Sequence, residues 1–156
     1  MAIESTRTTE KEDGPRVRQF SVFLKNKVGV LLDVVKLLNE HHVEVLAVNV
    51  QDSAESAIVR LVVSDPDTVQ ELFTSNEIPF STCDLVVVEL KDGAAQLGKV
   101  LTALLMAEVN IHGSNSLLTH PRGNTALALH VEDTECACAV LRSHGFRVLS
   151  QGDISR

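Results

Sequence analysis

Aromatic residues are scarce in this chain of 156 residues, which has five phenylalanines and neither tryptophan nor tyrosine. The core must therefore be built from valine, leucine, isoleucine and alanine. Basic residues are also few, and the net charge is −7. This acidic balance argues against binding to nucleic acid or to an acidic membrane surface, because both need a basic face.

Cysteine is rare as well, and the three present are Cys83, Cys136 and Cys138. Their odd number and irregular spacing argue against a disulfide framework. Cys136 and Cys138 are two positions apart on a predicted helix and do not share a face, so we expect no metal site. The spacing of the histidines indicates no metal ligands either.

Long apolar runs are absent, so we expect no transmembrane helix. The first 15 residues are polar and lack the apolar segment of a signal peptide. We therefore expect a cytoplasmic protein with a disordered N-terminal tail over residues 1–16.

The chain contains an internal repeat. Apolar positions spaced i, i+3, i+4 and i+7, as on one face of a helix, recur 66 positions later. The strand patterns around them recur at the same offset and, after a central hairpin, at an offset of 68. The helical positions are Leu31, Val34, Val35 and Leu38 in the first copy and Leu97, Val100, Leu101 and Leu104 in the second.

Each copy is predicted to run strand, helix, strand, strand, helix, strand. The fold class is α+β, with two tandem ferredoxin-like βαββαβ units whose antiparallel sheets carry helices on one face. We place the first unit at residues 17–83, the second at 84–151 and a C-terminal tail at 152–156. In the first unit Asp65 and Pro66 predict the start of the second helix, as N-cap and first helical residue.

The face of the first sheet opposite the helices is predicted to be apolar. Strict alternation places Leu46, Val48 and Val50 of the second strand on it. Such a face is too apolar to remain in water, so another sheet or subunit should cover it. The corresponding residues of the second copy are His112, Ser114 and Ser116, which can stay hydrated. We therefore expect a homo-oligomer, a dimer, buried through the first copy.

A glycine ends the loop between the first strand and the first helix. The segment Asn26-Lys27-Val28-Gly29-Val30-Leu31 puts backbone N–H groups and the positive end of the helix dipole at one point. Such a loop can hold a carboxylate or phosphate, and the glycine permits close approach of a ligand. The alternative is that Gly29 only makes a tight turn.

The repeat and its motifs resemble ACT domains, the small ligand-sensing modules of amino-acid metabolism. The resemblance is carried by the glycine loop, by Glu-Val-Asn-Ile at 108–111, by the stretch 58–66 and by the ending 145–150. It covers about residues 17–151 and is greatest to stand-alone tandem ACT proteins. It implies a regulatory protein that binds an amino acid between two ACT units, without a cofactor, and that acts on a metabolic enzyme or regulator.

The two copies depart from the usual ACT pattern in opposite ways. The first has Asn26 and Gly29, but Val28 stands where proline is usual and Glu44 where the ligand-contacting asparagine would lie. The second has that asparagine, Asn110, but Ala95 replaces the glycine.

The resemblance thus implies one composite site, formed by the loop of one copy and the asparagine of the other. Whether both copies belong to the same chain is left open. Its residues are Asn26, Lys27, Val28, Gly29, Val30, Leu31 and Asn110.

No motif indicates catalysis. The chain has no Ser-His-Asp order, phosphate-binding loop or pair of carboxylates that nominates catalytic residues, so we expect a protein that is not an enzyme. One alternative is a structural or regulatory subunit whose ligand site has decayed, which Val28 and Ala95 would mark. An RNA-recognition fold shares the element order but needs aromatics on its third strand, where this chain has Ile58, Arg60 and Val62.

Overall fold

A computed structural model describes residues 14–25, 27 and 29–155. Within them lie seven strands and five α-helices, and the first four helices alternate with the strands as the repeat predicts. The strands are β1 (Val17–Lys25), β2 (Val45–Asp52), β3 (Ser56–Val63), β4 (Phe80–Leu90), β5 (Ile111–Ser116), β6 (Thr125–Val131) and β7 (Val148–Leu149). The helices are α1 (Val30–Glu40), α2 (Pro66–Ser75), α3 (Leu97–Met106), α4 (Thr134–Ser143) and α5 (Gln151–Ile154).

The predicted fold, two βαββαβ units with antiparallel sheets, is confirmed, and one long strand belongs to both sheets. The first half of β4 pairs with β1, from Phe80 opposite Val22 to Leu85 opposite Val17. Its second half pairs with β6 and β7, with Val86 opposite Leu129. The strand order is β2-β3-β1-β4-β6-β5, and β4 runs unbroken through the predicted boundary between residues 83 and 84.

The second helix of each unit starts at an aspartate cap, as predicted for the first unit. The Asp65 carboxylate accepts a hydrogen bond from the Thr68 N–H at 3.2 Å, and Asp133 accepts one from the Cys136 N–H at 3.0 Å. Such caps satisfy N–H groups that have no partner within the helix. Both helices therefore begin at points fixed by the sequence.

Three apolar cores hold these elements together. Each unit has one between its sheet and its two long helices, and in the first unit the rings of Phe20, Phe73 and Phe80 meet there. The third core lies between the two sheets, on the faces away from the helices. It contains Val17, Leu46, Ala47, Val62, Leu85, Val87, Leu117, Ala126, Ala128, Leu149 and Ile154. The second sheet of the same chain thus covers the open face of the first, so the expectation that a dimer buries this face is wrong.

The predicted assignment of side chains to that open face is wrong beyond Leu46. A β-bulge between Val45 and Ala47 shifts the alternation of β2 by one residue. Val48 then pairs with Leu61 on the helix side, and Asn49 pairs with Arg60 on the inner side.

A bulge at the matching place in β5, between Ile111 and Gly113, has the same effect in the second unit. Ser114 and Ser116 lie opposite Leu129 and Leu127 of the helix-side core, whereas Asn115 lies opposite Ala128 of the inter-sheet core.

The two ends of the described chain lie against each other. The Gln151 N–H donates to the Pro15 carbonyl at 3.0 Å. Residues 151–154 form α5, which overlaps the C-terminal tail predicted over residues 152–156, and Ile154 is buried in the inter-sheet core. The predicted N-terminal tail lies outside the described residues up to position 13.

No helix among the described residues is both long and apolar enough to span a membrane.

The core between the sheets should contribute strongly to stability. Leu85→Ala removes methyl groups from a side chain that is 2% exposed, so we expect the free energy of unfolding to fall by about 2–5 kcal/mol. Urea denaturation followed by circular dichroism measures it. The matched control is Leu118→Ala, at a side chain that is 63% exposed, with an expected change below about 0.5 kcal/mol. Equal losses in both variants would contradict packing between the sheets.

Candidate functional site

The first helix begins at Gly29, which adopts a left-handed backbone with φ of 92°. A Cβ added there would meet no atom within 4 Å. Backbone conformation, rather than crowding, therefore selects glycine at this position. The turn is closed by the Val30 N–H donating to the Lys27 carbonyl at 3.3 Å, and the helix begins with the Asp33 N–H donating to Gly29 at 2.9 Å.

Glycine has no side chain with which to cap the helix that it starts. The N–H groups of Leu31 and Leu32 in the first turn therefore receive no cap from residue 29, unlike those at Asp65 and Asp133. A helix start of this kind carries partial positive charge and can accept an anion. Two further predicted site residues, Asn26 and Val28, lie outside the described residues.

A groove of about 500 Å³ lies beside α1, between this helix and the chain that follows α2. It combines apolar side chains with charged ones of both signs. The lining residues are Leu24, Val30, Asp33, Val34, Lys36, Leu37, Glu40, Asn76 and Ile78. Val30 belongs both to the predicted loop and to the groove lining, so the groove extends to the start of α1.

The equivalent loop of the second unit has a different structure. Residues 93–96 form a 3-10 turn that leads directly into α3, and the Gln96 side chain accepts a hydrogen bond from the Asp92 N–H at 3.1 Å. Ala95, which stands where the first unit has glycine, lies inside this turn, and the left-handed residue is Gly93 with φ of 60°. The start of α3 therefore lacks the open left-handed turn that α1 has at Gly29.

Asn110 precedes β5 and is exposed. Its side-chain amide donates to Glu132 Oε2 at 2.8 Å, and its carbonyl accepts the Glu132 N–H at 3.0 Å. In the first unit Glu44 occupies the matching place, with its N–H donating to Ser64 Oγ and its carbonyl accepting from the Ser64 N–H. Asn110 does not line the groove beside α1, so its pairing with the Gly29 loop stays a prediction.

Comparison with known protein families identifies the family that shares this architecture. The family described as the ACT domain pair matches residues 16–155, which is nearly all of the chain. The chain belongs to the ACT domain pair family. The curated proteins contain no match to the sequence.

Solved structures share the ACT pair fold at low sequence identity. Protein BT0572 from Bacteroides thetaiotaomicron is 24% identical, with a TM-score of 0.83 over 92% of this chain and 99% of that one. The ligand-free regulatory subunit of aspartate kinase from Thermus thermophilus is 14% identical, with a TM-score of 0.61 over 84% and 91% of the two chains. The corresponding subunit from Thermus flavus is 15% identical, with a TM-score of 0.53 over 84% and 93%.

A polar cleft between the two ACT sheets was not foreseen from the sequence. The histidines have no ligand spacing along the chain, yet pairing of β5 with β6 brings the rings of His112 and His130 to 5.3 Å. Arg60 of the first unit enters the same cleft. Strand pairing brings the two histidines together and packing of the sheets adds Arg60, so no sequence signal identifies this group.

The described residues include no group of three or more His, Cys, Asp or Glu placed to hold a metal.

The left-handed turn of the first ACT unit can be tested by adding a methyl group. Gly29→Ala should cost about 1 kcal/mol of unfolding free energy, because a left-handed backbone is unfavourable for alanine. Gly98→Ala, within α3, is the matched control and should stabilise the protein by about 0.5–1 kcal/mol. Neither new Cβ meets an atom within 4 Å. Chemical denaturation compares the two, and stabilisation by both would contradict the left-handed turn.

Proposed function

We propose that this ACT pair is a non-enzymatic regulatory protein that binds an amino acid between ACT units. The observation that carries the proposal is the left-handed start of α1 at Gly29, which has no capping side chain, together with the groove that lies beside the same helix. The groove offers partners of both signs and apolar walls, as a zwitterionic ligand with a side chain requires.

Each part of an amino acid has a partner in this arrangement. The ligand carboxylate would accept hydrogen bonds from the first-turn N–H groups near Gly29 and Val30. The ammonium group would pair with the Asp33 carboxylate, which lines the groove one turn further on. An apolar side chain would lie against Leu24 and Leu37. Asn26 and Asn110 would complete the site through their amides.

The second ACT unit of the site would come from a second chain. Within one chain the two sheets face each other, so the helices and the groove beside α1 lie on the outer layers. Asn110 of the same chain is already bonded to Glu132 and does not line the groove. A homodimer would therefore bring the Gly29 loop of one protomer to Asn110 of its partner.

The surface of α3 supports a dimer of this kind. Three leucines one turn apart, Leu97, Leu101 and Leu105, are 39%, 42% and 76% exposed. In the first unit the place of Leu105 is taken by Asn39, so the stripe is one residue shorter there. Exposed apolar stripes of this length mark interaction surfaces, and here the occupant would be a second copy of the chain.

The partner protein that responds to ligand binding would be a metabolic enzyme or a regulator in the cytoplasm. Two of the similar solved structures are regulatory subunits of aspartate kinase, which supports a role in regulating another protein. Nothing in the sequence specifies the partner or the amino acid.

Amino-acid binding can be tested by thermal denaturation against the set of common amino acids. A ligand at 100 times its dissociation constant should add about 2.7 kcal/mol to the free energy of unfolding, and isothermal titration calorimetry then measures its affinity. Asn110→Ala should weaken that affinity by about ten-fold, the effect of losing one hydrogen bond to a charged group.

The matched control is Glu44→Ala, at the corresponding position of the other unit, which should leave the affinity unchanged. If no amino acid at millimolar concentration stabilises the protein, the binding role fails and the interaction-subunit alternative takes its place.

The dimer can be tested at α3. Leu105→Glu places a charge in the apolar stripe and should convert the dimer to a monomer at micromolar concentration. Size-exclusion chromatography with light scattering measures the mass. Asn39→Glu puts the same charge on α1 of the first unit and should leave the dimer intact. A monomeric wild-type protein would overturn this assembly.

A further inference from the structure

The space between the two ACT sheets is divided into an apolar part and a polar part. The apolar part is the inter-sheet core around Leu85 and Val62. The polar part is a cleft of about 140 Å³ near the edge where β2 approaches β5. The side chains that matter are Gln19, Asn49 and Arg60 from the first unit and His112, Asn115 and His130 from the second.

The charge of Arg60 is uncompensated in this cleft. One guanidinium nitrogen donates to Gln51 Oε1 at 2.9 Å, which is a neutral acceptor. No acidic residue lines the cleft, and no carboxylate pairs with Arg60 among residues 14–25, 27 and 29–155. A guanidinium has five N–H donors in a planar fork, so several remain for a ligand.

Two histidines of the second unit line the same space as Arg60. Their ring centroids are 5.3 Å apart, with the ring planes at 60°. Burial lowers the pKa of His130 below its ordinary value, and the nearby His112 and Arg60 lower it further. Without a counter-charge, protonation of His130 is therefore opposed by its own neighbours.

The other groups around the cleft are neutral or weakly acidic. Gln19 of β1 is only 6% exposed, and its amide donates to Cys83 Sγ of β4 at 3.5 Å. Burial raises the pKa of the Cys83 thiol, so this thiol stays protonated near neutral pH. Asn49 and Gln51 of β2 contribute only amides.

We infer that this inter-sheet cleft binds a compact oxyanion, a carboxylate or a phosphate, between Arg60 of the first ACT unit and His130 and His112 of the second. The fork of Arg60 matches the planar oxygens of a carboxylate and two oxygens of a phosphate. A volume of about 140 Å³ admits a small anion but not a nucleotide. The exposed edge beside His112 and Asn49 gives the ligand a path from solvent.

This site is separate from the one proposed at Gly29. The cleft lies between the sheets, whereas the Gly29 loop and its groove lie on the helix side of the first sheet. None of the residues of one lines the other. Binding at one site can therefore be removed by substitution without touching the second.

The affinity of the cleft for an anion should increase as the pH falls. A bound anion favours protonated His130, so the complex takes up a proton that the free protein lacks. Affinity should then rise as the pH falls from about 8 to about 6, through the range in which imidazole titrates. Sulfate and acetate are suitable probes because neither changes charge over that range.

The experiment is a titration of the full chain with sulfate, standing in for phosphate, and with acetate, standing in for a carboxylate. Proton NMR of the histidine rings follows His112 and His130 directly in the wild-type protein, and calorimetry gives the affinity. Arg60→Gln should weaken binding by about ten-fold or more. His130→Gln should leave weaker binding with a smaller pH dependence. Arg122→Gln, which removes an exposed arginine outside the cleft, is the charge-matched control and should bind as the wild type.

The preferred probe distinguishes the two sources of the oxyanion, since a phosphate site favours sulfate and a carboxylate site favours acetate. Ring signals of His112 and His130 that do not move with either probe at millimolar concentration would overturn the inference. Equal weakening by Arg60→Gln and Arg122→Gln would also overturn it, because binding would then follow net charge. An unaltered response to amino acids in Arg60→Gln would leave the proposed function at Gly29 standing.

Discussion

The fold depends on one strand, β4, because this strand belongs to both sheets. All of its residues from Leu85 to Leu90 are buried. The residues on one side of the strand, Leu85 and Val87, enter the core between the sheets, and those on the other side, Val86 and Val88, enter the core of the second unit. A strand buried on both faces requires cover on both faces. The two units therefore pack through their open faces, and the helices form the outer layers.

Much of this architecture could be predicted from the sequence, because the repeat and the helical spacing depend on local pattern. The aspartate cap at Asp65 and the glycine at the start of α1 are local signals of the same kind. The side-chain faces of β2 and β5 could not be predicted, because each strand contains a bulge. One extra residue at a bulge reverses every later side chain, and no composition signal marks Leu46 or His112 as its position.

The two candidate sites differ in the same way, because one depends on local sequence and the other on tertiary structure. The special backbone position at Gly29 could be predicted because it depends on local sequence, and so could the difference at Ala95, which replaces this glycine in the second unit. The second loop does form a different structure, a 3-10 turn around Ala95 whose left-handed residue is Gly93. The cleft residues Arg60, His112 and His130 are far apart in sequence and meet only through strand pairing and sheet packing. Their proximity is a tertiary property that no motif encodes.

The two proposed binding sites also bear on how a signal would pass through the protein. The strand β1 connects them, since Gln19 lines the cleft and the chain after Lys25 forms the Gly29 loop. A shared strand alone does not couple two sites, because coupling needs an element with two arrangements that each ligand favours differently. The two sheets are held together by the apolar core between them. The outer helix layer has the exposed stripe on α3 and the uncapped start of α1. In the proposed dimer, a change in how the two chains meet there would alter one site without repacking the other, so regulation through assembly would require less rearrangement than regulation through the core.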